Sequence, residues 1–156
     1  MTKHNSLIIW LEVIWWVVTA IVVYAVLRPI HQAMYTWQFE VQNIIFIVTL
    51  ITLARYTFLL PHTWIARQQI LKIVLMLAMI PLTTFLVNGL NHFMLQIEEH
   101  TWDPITGHLP AYQKKSTEDY IWGEMLFFAV GSIISAPVFA VRLMISIWRV
   151  RNRNTV

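Results

Sequence analysis

One carboxylate and two guanidiniums, Glu12, Arg55 and Arg142, stand inside long apolar runs of this chain. Glu12 interrupts LIIWLEVIWWVVTAIVVYAVL, residues 7–27, where the only other ionisable group is a tyrosine. A charge at the centre of a bilayer costs about 3 kcal/mol on insertion scales, so a carboxylate there calls for a partner or a task. Counted from the ends of their apolar runs, Glu12 and Arg55 lie five residues in and Arg142 about six. At 1.5 Å per residue, that is one layer about 7–8 Å deep. Arginine can extend to the interface unaided, whereas the shorter glutamate has less reach and needs a partner more. The spacing therefore predicts a structural Glu12–Arg55 or Glu12–Arg142 pair, for which the planar guanidinium fork is suited.

The functional alternative makes Glu12 a proton- or substrate-coupling carboxylate. A single embedded glutamate in the first of four helices is similar to the arrangement in small multidrug resistance antiporters, which implies proton-coupled transport by an oligomer. The chain departs from that pattern in its four glycines, its long outer segment and its two intramembrane arginines.

Histidine offers a second chemistry. None of His31, His62, His92, His100 and His108 sits mid-span, so no pair is placed to hold haem. The string EEHTWDPITGH supplies Glu98, Glu99, His100, Asp103 and His108, residue types that suit a divalent ion. Their spacing matches neither H-E-x-x-H nor a closed structural site. His100, Asp103 and His108 are the metal candidates, and a solvated acidic segment is the expectation. No phosphate loop, nucleophile elbow or kinase signature is present, and no cysteine. The expectation is a protein that is not an enzyme and carries no cofactor.

The elements that must position these residues follow from composition. Hydrophobic residues make up 58% and charged residues 12%, against roughly a quarter charged in soluble domains, and mean hydropathy is +0.60. The deficit is concentrated in apolar blocks near 7–27, 41–60, 70–90 and 121–148, each long enough to cross about 30 Å of hydrocarbon as a helix. Period-two alternation is lacking, which argues against barrel strands. The first span should end at Arg28-Pro29 and the second at Pro61, with kinks near Pro81 and Pro137. With Glu12 inside it, the first block reads as a retained span rather than a cleaved signal. The expected architecture is a single all-α domain, a four-helix transmembrane bundle over residues 1–156.

Eight of the eleven Lys and Arg gather on one side: Lys3, Arg55, Arg67, Lys72, Arg142, Arg149, Arg151 and Arg153. Only Arg28, Lys114 and Lys115 fall on the other, with seven of the eight acids. The positive-inside rule then places both termini in the cytoplasm and the segment 91–120 outside, as a loop of about 30 residues. The net charge of +3 is thereby topology rather than a nucleic-acid footprint. The tail WRVRNRN, 148–154, reads as a stop-transfer signal that can also touch anionic headgroups.

The fourth block carries the most regular pattern. Glu124, Phe128, Gly131, Ser135, Val138 and Arg142 form one stripe, and Ser132, Ala136 and Ala140 form a small-residue ladder beside it. Small residues allow close backbone approach in lipid, so both mark a helix-packing or partner interface. Glu124 is expected to meet Arg28, Asn91 or His92. Thr84, Asn88 and Asn91 share a face expected to turn inwards. Trp10, Trp37, Trp64, Trp102, Trp122 and Trp148 suit an interfacial belt, and Trp15 and Trp16 are deeper. Taken together, the residues suggest a non-catalytic accessory or scaffold subunit of a larger inner-membrane complex, respiratory or motor-like. The alternative is the small oligomeric transporter or channel with Glu12 as coupling group. Expected partners are other membrane subunits or further copies of the chain, within the lipid bilayer and without nucleic acid.

Overall fold

The computed structural model describes residues 3–34 and 37–153. Its elements are α1 (Lys3–Ala33), α2 (Glu40–Leu59), α3 (Gln69–His100), the single turn α4 (Asp103–Thr106) and α5 (Ala111–Arg153). Two 3₁₀ turns, Leu60–His62 and Trp64–Arg67, join α2 to α3. No strand occurs among the described residues. Four of the helices are long and apolar enough to cross a membrane. Helix is the form such blocks take in lipid, because each segment then satisfies its own backbone polar groups.

α5 is the spine of the bundle. Apart from Glu124, its buried positions, Ile121, Met125, Ala129, Ser132, Ala136, Phe139, Leu143 and Ser146, advance in steps of four and three, the pattern of one continuous helical face. α3 answers with Lys72, Met79, Leu86 and Phe93, spaced by sevens as in a supercoiled seam. Two apolar clusters result. One, around Phe46, Leu86, Phe93 and Met125, fills one end; the other, around Leu53, Met79, Phe139 and Leu143, fills the other end, and Leu82 touches both. Lipid is as apolar as these side chains, so close packing and polar contacts between helices, rather than burial from water, hold the spans together.

Several boundaries differ from the sequence expectation. α1 runs through Pro29 to Ala33 instead of stopping at Arg28. Leu27, Ile30 and Met34 are all buried in the first cluster, and this packing anchors the turn that proline weakens. α2 does end just ahead of Pro61. Pro81 and Pro137 lie inside continuous helices. The expected 30-residue loop over 91–120 is instead mostly helix: α3 extends to His100, α5 begins at Ala111, and only 101–110 connect them. Phe93 and Ile121 are fully buried within these extensions, so helix packing continues past the most apolar stretch. The connection folds back over that end through buried Ile105 and Thr106. There Thr106 Oγ1 donates to the Glu118 carboxylate, and Lys114 Nζ meets Asp103 Oδ1 at 2.8 Å. Arg151 is exposed, while Asn154, last of the basic tail, lies outside the described residues.

Candidate functional site

Polar groups collect in two layers at opposite ends of the bundle. In the first, one Arg55 guanidinium nitrogen, Nη2, lies 2.6 Å from Glu12 Oε2. The contact is single rather than the two-pronged fork, and Glu12 Oε1 has no hydrogen-bond partner. Tyr56 OH also donates to Glu12 Oε2 at 3.3 Å. The Arg55 guanidinium lies 4.9 Å from the Tyr56 ring centroid and 5.8 Å from that of Trp15, close enough for cation–π attraction. The Arg55 side chain is 5% exposed and that of Glu12 20%. Glu12 is thus engaged by a cation and a phenol at once, an arrangement that neutralises its charge and fixes its position.

Arg142 does not join this pair. Its Nε donates to the Thr57 backbone carbonyl at 3.2 Å, a carbonyl near the end of α2, where the last turn leaves acceptors free and the helix dipole favours a cation. Lys72, counted in the sequence only as a topological charge, is fully buried and donates to Ser146 Oγ at 3.0 Å. Hydroxyl and ammonium occupy facing positions of the α3 and α5 seams, a match that no sequence spacing announces.

The second layer contains Glu124, 9% exposed. Its partner is none of the expected Arg28, Asn91 or His92. Asn43 of α2, fully buried, donates from Nδ2 to Glu124 Oε1. Glu124 Oε2 and Asn43 Oδ1 are both buried without a partner. Nothing in the local sequence singles out Asn43, because it sits next to the start of an apolar block, where an amide reads as a boundary residue. Its place three residues ahead of Phe46, on the face that meets α5, is the signal that identifies it.

The stripes of the fourth span are exchanged in importance. Ser132 and Ala136 are fully buried, and Ala140 is partly buried. Gly131 and Ser135 flank them, half-buried, while Val138 is 49% exposed. The ladder beside the expected stripe therefore makes the tightest contact. Gly131 still permits close approach, since a Cβ there would stand 2.9 Å from Leu50 Cδ2. Thr84, Asn88 and Asn91 face outwards instead of inwards, and Thr84 Oγ1 satisfies itself on the Ile80 carbonyl at 3.2 Å. The four/three spacing fixed their common face but not its direction.

Among the tryptophans, Trp10, Trp64 and Trp148 are exposed, whereas Trp37 is buried in the core and Trp102 and Trp122 pack on Phe93. His100, Asp103 and His108 do not converge. Lys114 occupies the Asp103 carboxylate and holds its pKa below the usual range through hydrogen bond and charge. His108 instead lines a small cavity with Trp37, Gln38, Pro104 and Ile105. No cluster of three metal-ligating side chains forms among the described residues.

Four apolar helices with polar residues held between them define an all-helical, multi-pass membrane protein. The sequence matches no protein-family model, and no curated protein or solved structure is significantly similar to it.

Proposed function

We propose that this chain is a non-catalytic accessory subunit of a larger membrane assembly, set in the inner membrane with both termini cytoplasmic. The observation that carries this reading is the side of α1. Almost none of its apolar window is buried within the chain, and Trp10, Trp16, Ile21 and Tyr24 stand outwards, each more than half exposed. An open groove of about 360 Å³ runs beside it, lined by Trp16, Ala20, Val23, Tyr24 and Leu27 of α1 and by Val48 of α2. Trp and Tyr bring large contact area at low entropy cost, which is why they anchor protein interfaces. Outward-facing Asn88 and Asn91 on α3 give a partner helix polar groups to bond, which lipid chains do not. The charge asymmetry of the sequence supports the orientation.

The test is the size of the protein in its own membrane. Gently solubilised, the tagged chain should migrate in a complex several times its own mass, and Trp16→Ala with Tyr24→Ala should release it as a smaller species. A wild-type chain that migrates as a monomer or a clean homo-oligomer refutes the subunit reading. Engagement of Glu12 by Arg55 and Tyr56 also weighs against its use as the coupling group of a transporter.

A further inference from the structure

We infer that Glu124 and Asn43 form a proton-binding site between α2 and α5, in which Glu124 stands as the neutral acid. The two side chains face one another from separate helices, both more than nine-tenths buried. One hydrogen bond already joins them, Asn43 Nδ2 donating to Glu124 Oε1. What remains is two acceptor oxygens, Glu124 Oε2 and Asn43 Oδ1, each buried without a donor. A buried acceptor left without a partner is costly, and an ionised carboxylate far more so. One proton on Oε2 removes both faults, because the hydroxyl then donates to Oδ1 and closes a ring of two hydrogen bonds between acid and amide. The step is a simple protonation: carboxylate plus one proton gives the acid.

The surroundings offer no other neutralising group. At this end α1 carries Arg28, which is exposed, and His31, held by Glu40 of α2 at 3.2 Å. α3 carries His92, whose ring lies against Phe39, with exposed Glu98, Glu99 and His100 beyond it. α4 carries Asp103, paired with Lys114 of α5. On α5, Tyr120 donates its hydroxyl to the Val26 carbonyl at 2.9 Å, Glu118 is bonded by Thr106, and Lys115 and Asp119 are exposed. None of these pairs with Glu124 among the described residues. Losing the proton would therefore leave an uncompensated anion between α2 and α5, so occupancy of the site is coupled to the contact between these two helices.

Infrared spectroscopy of the purified protein in lipid, near neutral pH, reads the proton directly. The wild type should show the C=O stretch of a protonated carboxyl that is lost completely in Glu124→Gln and moves to higher frequency in Asn43→Leu, where its hydrogen bonds are gone. Glu124→Gln should keep its fold, since the Gln amide can donate to Asn43 Oδ1 and accept from Nδ2 in the same ring. Raising the pH should lower the melting temperature of the wild type and leave that of Glu124→Gln unchanged in the same range. A spectrum without a Glu124-dependent band would overturn the inference. So would a band that disappears on exchanging potassium for sodium, which would assign the two oxygens to a metal cation.

Discussion

Replacing Glu12 by Gln tests the first polar layer most sharply. The change removes one charge while keeping size and a hydrogen-bond acceptor for Tyr56. Two unit charges about 4 Å apart attract by about 4 kcal/mol at an effective dielectric of about 20, before the cost of desolvating them. Stranding one member of a fully buried pair costs about 3–5 kcal/mol. Three features lower that figure here. Glu12 is one-fifth exposed, its contact with Arg55 is single, and Arg55 keeps the Tyr56 and Trp15 rings, 4.9 and 5.8 Å away. A loss of about 1–3 kcal/mol is expected. Stability measured by reversible unfolding in mixed micelles, over a double-mutant cycle, isolates the pair. Glu12→Gln with Arg55→Gln should recover part of the loss, with a coupling of at least about 1 kcal/mol. Glu12→Gln with Arg142→Gln should be additive within about 0.5 kcal/mol, because Arg142 is bonded to Thr57 instead. A larger coupling to Arg142 than to Arg55, or an unchanged stability for Glu12→Gln, would refute the reasoning.

Ala136 is fully buried, so Ala136→Leu should cost about 1–3 kcal/mol by overpacking. Val130→Leu, at a position 43% exposed, should change stability by less than about 0.5 kcal/mol; equal effects in the same unfolding assay would place the seam elsewhere. For topology, cysteine at exposed His108 should react with a membrane-impermeant maleimide in intact cells, and cysteine at exposed Gln68 should not. The reverse labelling pattern would invert the orientation.

The share of this architecture legible in the residues is uneven. Each apolar block became a membrane-length helix, and Glu12 and Arg55 were placed at a common depth by counting from the block ends alone. Depth along a helix needs only the rise per residue and a recognisable end. The same counting placed Arg142 near them but could not tell a carboxylate partner from a backbone carbonyl. The helix ends depart from the sequence pattern where packing outlasts hydrophobicity, at Pro29 and again over 91–120, since side chains such as Ile30 and Phe93 hold turns that composition alone would release.

What the chain's composition settles is therefore the number of apolar, membrane-length blocks and their helical state, because a backbone in hydrocarbon must satisfy its own hydrogen bonds. Which way each helix faces is another matter. In water, a polar stripe opposite an apolar one marks inside and outside. In lipid both surroundings are apolar, and the surface of a span carries no such mark. Ser132 rather than Ser135 lies in the seam, Asn88 faces out, and Asn43 finds Glu124. These outcomes depend on the rotation of each helix about its axis, and that rotation is set by side-chain shape and polar pairing across three helices at once.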